Sequence, residues 1–182
     1  TTKHKHIYVK KGDYDYAISQ LFAGGVAFNL QMGDSEFGDS LTIQGSYNNQ
    51  GVQDFSNPSI ITCNPVNAEK TRKLMQINAN GKHVTIEGFE FHNPNGYAME
   101  AGAGEGGSVT LKNVYYRNNK EDAITLQEHA GDMLIVNAQM TDGQAAGLDC
   151  EGQMTAGGKV TVVNTTFAHN QTDLTGTPEV YN

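Results

Sequence analysis

Glu100, Lys120, Asp122 and Asp149 are the side chains of this 182-residue chain whose types and spacing best suit chemistry. Two carboxylates flanking a glycosidic bond can serve as its general acid and general base. A lysine beside them can act as the base that abstracts a sugar-ring proton in a lyase, with a cation neutralising the uronate carboxylate. Asp122, Asp149 and Glu151 together offer the hard oxygen ligands that calcium takes. Gln76, Glu100, Thr125 and Asp149 follow one another at steps of 24 or 25 residues, so they form a row if the chain returns to the same place with that period.

The chain does repeat with that period. From residue 83 onward, Val84-Thr85-Ile86, Val109-Thr110-Leu111, Met133-Leu134-Ile135 and Val160-Thr161-Val162 each precede Gly88, Asn113, Asn137 or Asn164, at steps of 25, 24 and 27 residues. A fixed period in this range is the mark of a solenoid, in which no single coil can bury its own apolar face. Strict alternation before the anchor reads as a first short strand. The anchor is Gly or Asn, types that tolerate a left-handed backbone, so a one-residue bend is expected there, with the asparagines able to stack as a hydrogen-bonded ladder. A second strand then points Phe89/Phe91, Val114/Tyr116, Ala138/Met140 and Thr165/Phe167 inward. After an Asn-, Asp- and Gly-rich turn, a third strand points Met75/Ile77, Met99/Ala101, Ile124/Leu126 and Leu148/Cys150 inward. The fold class expected is all-β: a single right-handed parallel β-helix over residues 1–182, with three short strands per coil. Leucine-rich horseshoes are disfavoured, because the leucines have the wrong spacing and no helical segment separates the strands.

Residues 1–82 are expected to form irregular N-terminal coils, and residues 83–182 regular ones. Ile7-Tyr8-Val9, Val26–Leu30, Leu41–Ile43 and Ile60–Thr62 are short strand candidates. Ile18, Leu21 and Phe22 sit at helical spacing, which allows a short helix near Tyr14–Phe22. Segment 45–59 reads as a long surface loop, and Leu174 as the start of a last strand.

The segments Val84-Thr-Ile-Glu-Gly-Phe-Glu-Phe-His-Asn93, Val109-Thr-Leu-Lys-Asn-Val-Tyr-Tyr-Arg-Asn-Asn119 and Val160-Thr-Val-Val-Asn-Thr-Thr-Phe-Ala-His-Asn170 resemble the pectin-lyase-like superfamily of right-handed β-helices. Ile7-Tyr8-Val9-Lys10-Lys11-Gly12-Asp13-Tyr14 and Leu41–Tyr47 are similar to bacterial surface proteins with adhesin-like β-helical repeats. The resemblance implies a secreted or cell-surface module contacting polysaccharides or other surface macromolecules, or alternatively a polysaccharide lyase or glycoside hydrolase. It also implies that any substrate groove runs along the third strands and the turns before them. Their outward row is Gln76, Glu100, Thr125 and Asp149, with Lys120 and Asp122 in the adjacent turn and Glu151 beyond. Tyr115 is a further candidate, able to stack on a sugar ring. Strands roughly 4.8 Å apart put Glu100 and Asp149 about 10 Å apart, at or beyond the separation of an inverting pair. The catalytic signatures of polygalacturonases, Asn-Thr-Asp, Asp-Asp and Gly-His-Gly, are missing. So is the paired arginine of uronate lyases, since the arginines are Arg72 and Arg117. Carboxylates at such outward positions are also what any acidic, solvated surface carries.

Twelve basic against twenty acidic side chains give a net charge of −8, which argues against a nucleic-acid partner. No apolar run approaches the roughly 18 residues of a membrane span. Twenty-one glycines, four prolines and no tryptophan suit short strands and tight turns. Cys150 falls at an inward position, where a free thiol behaves as a small apolar group, so pairing with Cys63 is not expected. The first residue is Thr rather than Met, and the chain reads as part of a longer extracellular or bacterial surface precursor. No histidine pair has metal-ligand spacing; calcium is the one cofactor suggested.

Overall fold

The computed structural model describes residues 3–16, 26–32, 38–63, 73–127, 131–150, 157–176 and 178–181. Within them the chain is all strand and turn. β1 (His4–Lys10), β2 (Gly12–Tyr16) and β3 (Val26–Gln31) make the first coil, and β4 (Ser40–Tyr47), β5 (Ser59–Cys63) and β6 (Lys73–Asn78) the second. In the third and fourth coils the first two strands run together as β7 (His83–His92) and β9 (Ser108–Arg117), followed by β8 (Tyr97–Gly102) and β10 (Ile124–Leu126). The fifth coil has β11 (Asp132–Val136), β12 (Gln139–Thr141) and β13 (Ala146–Asp149). The sixth has β14 (Val160–Val163), β15 (Thr166–Ala168) and β16 (Thr172–Thr175), and β17 (Glu179–Tyr181) adds one more rung.

Among the described residues the rungs pair in parallel with their equivalents in neighbouring coils, giving three faces around one apolar centre. On the first face Ile7, Ile43, Ile86, Leu111, Ile135 and Val162 share a column. On the second the column is Ile61, Phe91, Tyr116, Met140 and Phe167. On the third it is Phe28, Met75, Met99, Ile124, Leu148 and Leu174. The rings of Phe91 and Tyr116 stack with centroids 5.2 Å apart and planes 13° from parallel. Like-on-like stacking follows from parallel register, and burial of each large side chain contributes about 1.5–3 kcal/mol. Cys63 and Cys150 are both buried, Cys150 at the inward position expected of it.

The expected bend lies between the first two faces. Gly88, Asn113, Asn137 and Asn164 all have positive φ, at 77°, 51°, 53° and 46°. Asn164 Nδ2 donates to Asn137 Oδ1 at 2.7 Å, and Asn137 Nδ2 donates to Asn113 Oδ1 at 3.2 Å. Asn113 Nδ2 ends the ladder on Glu87 Oε1 at 3.0 Å. Gly stands at 88 for a steric reason. A Cβ there would come 3.0 Å from both Gly45 O and Ser46 Oγ, because the Ser46 hydroxyl donates to Gly88 O at 2.7 Å. A second bend follows the second face at Asn118, Asp142 and His169, again with positive φ.

Three expectations change in detail. Tyr14–Tyr16 belong to β2, extended and paired with β5, so no helix begins there; residues 17–25 lie outside the described residues. The surface loop is shorter than 45–59, since β4 runs to Tyr47 and β5 starts at Ser59. The last rungs begin at Thr172, before Leu174, and β17 follows them. The N-terminal coils join the same stack at irregular steps: His4 faces Ser40 at a step of 36 residues and Gln44 faces Glu87 at a step of 43.

Asn137 sits in the middle of the ladder with a strained backbone. Asn137→Ala should cost about 2 kcal/mol, from lost hydrogen bonds plus left-handed strain, and Asn137→Gly about 1 kcal/mol, since glycine relieves the strain. Urea midpoints of the two variants measure the difference, and equal losses would show that the bend carries no strain.

Candidate functional site

The row anticipated on the third face is present. Gln76, Glu100, Thr125 and Asp149 are successive partners along β6, β8, β10 and β13, and Asn29 and Thr175 extend it at either end. Their side chains point outward because the inward positions on either side are occupied by Met75/Ile77 and their equivalents.

Glu100 is the best-held carboxylate of the row. Lys73 forms an ion pair with its Oε2, while Gln76 Nε2 at 3.0 Å and Gln127 Nε2 both donate to its Oε1. Its side chain is 14% exposed and that of Lys73 20%. Asp122 is tied into the wall: its Oδ1 accepts the Ala146 N–H at 2.9 Å and its Oδ2 accepts the Thr125 hydroxyl at 3.0 Å. Asp149 Oδ1 accepts the Thr175 hydroxyl at 2.6 Å. Tyr97 faces Lys73 across β6–β8, and its hydroxyl pKa is raised by burial and then by the charges of Glu121, Asp122, Glu100 and Asp149. That phenol therefore stays protonated, as a donor among carboxylates.

Lys120 is exposed in the turn before β10, its N–H donating to Asn93 O at 2.9 Å. No ion pair joins its ammonium to a carboxylate among the described residues. Glu151 lies outside the described residues, and among those described no three His, Cys, Asp or Glu side chains converge as a metal site would require. Two ladder steps separate Glu100 from Asp149, about 10 Å of strand spacing, with Thr125 between them.

Tyr115 is not part of this row. It lies on the second face, between Glu90 and Gln139. There it belongs to a polar cluster that sequence reasoning missed. Glu90 Oε1 is 2.6 Å from His92 Nε2 and 3.6 Å from Arg117 Nε, and the Arg117 guanidinium carbon lies 5.8 Å from the Tyr115 ring centre. The longer contact is an ion pair without a hydrogen bond, and Arg117 Nε has no hydrogen-bond partner. His92 hydrogen bonding is the largest influence holding the Glu90 carboxyl below its ordinary pKa, with the charges of Arg117 and His92 adding to it against burial. The one available signal was spacing: Glu90 and Tyr115 are 25 residues apart, as are His92 and Arg117. Lys73 and Gln127 were also missed, because a donor's identity gives no clue to which outward carboxylate it reaches.

Asn164 and Asn170 each begin a glycosylation sequon, but both amides are engaged. Asn164 is in the bend ladder, and Asn170 bridges Gly143 N–H and Met140 O.

Stacked parallel coils, left-handed bends and a row of outward polar side chains define the parallel β-helix class. The chain matches the family model for the right-handed beta helix region over residues 41–177, and it belongs to that family. No curated protein and no solved structure matches it. No helix among the described residues is long and apolar enough to cross a membrane.

Two measurements test this geometry. Lys73→Met should cost about 1–2 kcal/mol in urea denaturation, the value for a partly shielded pair lying between exposed and buried limits; an unchanged midpoint would place Lys73 away from Glu100. Because the folded Glu90 carboxyl binds its proton less readily than the unfolded one, its contribution is present above the ordinary value of 4.5 and is lost as pH falls through the lowered folded value. Glu90→Gln should therefore flatten the loss of stability below about pH 4.5. A parallel loss in parent and variant would contradict the contact.

Proposed function

We propose that this chain is a secreted or cell-surface binding module, of the pectin-lyase-like and adhesin-like kind its motifs resemble, that holds glycans along the third face. The observation carrying the proposal is the hydrogen-bonding state of the row. Gln76 and Gln127 spend amide donors on Glu100, which leaves their carbonyl oxygens for a ligand. Glu100, Asp122 and Asp149 are acceptors as well. A face rich in acceptors, one per coil, suits a polymer that brings donors at intervals, and the hydroxyls of a neutral glycan do so.

The same electrostatics disfavours an acidic polysaccharide on this face. Glu100, Glu121, Asp122 and Asp149 all lie close enough to raise the pKa of Tyr97, so a uronate chain would meet like charge. Calcium bridging the row to the polymer would remove that objection, with Asp122, Asp149 and Glu151 as its ligands. The catalytic alternative, with Glu100, Asp122 and Asp149 as acid and base groups and Lys120 as proton acceptor, asks more of the site. Glu100 and Asp122 are already held by two or more partners each, and the Lys120 ammonium has no carboxylate beside it among the described residues.

A panel of immobilised neutral and uronate polysaccharides, with and without calcium, tests the reading. Binding to a neutral glycan should fall at least tenfold in Glu100→Gln, the loss of about one charge-assisted hydrogen bond, and several-fold in Gln76→Ala, the loss of about one neutral hydrogen bond. Tyr115→Ala, on a different face, should leave it unchanged. New reducing ends, or unsaturated products absorbing in the ultraviolet, would overturn the binding reading in favour of a hydrolase or lyase. Silence across the whole panel would leave a structural stalk.

A further inference from the structure

A concave surface lies away from the third face, where β1 and the end of β4 meet the loop after β4. It is a cavity of about 530 Å³ lined by Tyr8, Lys10, Tyr47, Asn48, Asn49 and Gly51. That volume falls within the range of small-ligand sites. Tyr8 and Tyr47 meet edge to face with ring centroids 5.1 Å apart, and Tyr8 remains 61% exposed. The register of β1 on β4 slips between Tyr8 and Lys10, so that Lys10 faces Tyr47. A bulge of this kind re-aims side chains, and here it sets Lys10 opposite Tyr47 in the lining of the cavity.

The rim is fixed by the loop itself. Asn48 Oδ1 accepts the N–H groups of Gln50 and Val52, both at 2.9 Å, and the Asn48 N–H donates to Val52 O at 2.9 Å. With its side-chain oxygen taken twice, Asn48 offers its Nδ2 hydrogens as donors. Lys10 has no ion pair among the described residues, and neither tyrosine hydroxyl has a hydrogen-bond partner there. Neighbouring Lys11 lies near Asp54, whose pKa is lowered first by hydrogen bonds from Ser56 and Asn57 and least by the charge of Lys11. Burial raises the Tyr47 pKa, with Tyr8 and Glu87 adding to it, so its hydroxyl stays a donor.

Four of the twelve basic residues, Lys3, Lys5, Lys10 and Lys11, fall in the first eleven positions of a chain carrying −8 overall. At physiological salt, charges beyond about 8 Å are largely screened, so the local cations decide what enters. The ligand that matches has a flat apolar face for Tyr8, hydroxyls for the amides and an anionic group for Lys10.

We propose that the groove formed by Tyr8, Lys10, Tyr47 and Asn48 binds an acidic sugar, a pyranose bearing a carboxylate. This shares with the reading of the third face only the general class of partner, and uses none of its residues.

The test titrates the full chain with sodium galacturonate and with galactose, following the ring resonances of Tyr8 and Tyr47 by NMR. Saturable shifts are expected with galacturonate, about tenfold weaker with galactose. Lys10→Gln should abolish the preference, and Tyr8→Ala, a change at an exposed position, should weaken galacturonate at least tenfold. Glu100→Gln should leave both titrations unchanged, so failure of the third face and failure of this groove are told apart. Equal affinity for the two sugars, insensitivity to Tyr8→Ala, or no saturable shift with either would overturn the proposal.

Discussion

Each coil of this chain must come back to the same position one strand spacing higher, and a residue able to hold a left-handed backbone makes that possible. In the second coil a loop joins the first and second faces, between β4 and β5, but from the third coil on the two faces meet at a single residue. The reversal is made by Gly88, Asn113, Asn137 and Asn164, each with positive φ. Asparagine meets two needs at once. It tolerates the bend, and its amide bonds the next amide along the stack, which locks one coil onto another. Where the ladder ends, Glu87 receives the last amide and is held by Lys112 at 3.1 Å and Gln44 at 2.9 Å, so a buried carboxylate is fully paired. Without this register neither the aromatic stack nor the outward rows would exist.

Register also explains why one scaffold presents different chemistry on different faces. The third face gathers Glu100, Asp122 and Asp149 among amides and hydroxyls, with donors from Gln76, Thr125 and Thr175 bonded to these carboxylates. The second face pairs Glu90 with His92 and Arg117 beside Tyr115. The corner near β1 carries an unpaired ammonium and an aromatic pair. Because side chains alternate in and out along each strand, these groups change independently of the core. The stack sets where they stand, and the local partners of each set what it can bind.

Legibility in the sequence followed the constancy of coil length. From His83 onward the steps of 24, 25 and 27 residues keep equivalent positions visible, so the bends, the inward pairs and the row Gln76–Glu100–Thr125–Asp149 could all be read directly. Ahead of His83 the same columns continue at steps of 36 and 43, and the unequal steps hide the period. The helical spacing around Ile18 misled at Tyr14, because a few apolar residues fit either period and tertiary pairing with β5 decided the matter. Tyr115 is a candidate on its chemistry alone, and it stands on the second face, away from the row. The partners of Glu100 were illegible for a different reason: reach is a matter of rotamers and neighbours, which spacing does not encode.

The central claim is that successive coils stand in strict register, so that Gln76, Glu100, Thr125 and Asp149 form one outward row. Cross-strand nuclear Overhauser effects measure it most directly. Contacts are expected from Glu100 to Gln76 and Thr125, from Thr125 to Asp149, and along the amides of Asn113, Asn137 and Asn164. A slip of one residue would turn every side chain to the opposite face. Contacts from Glu100 to Ile124 in place of Thr125, or absent contacts between the asparagine amides, would contradict the register on which the rest depends.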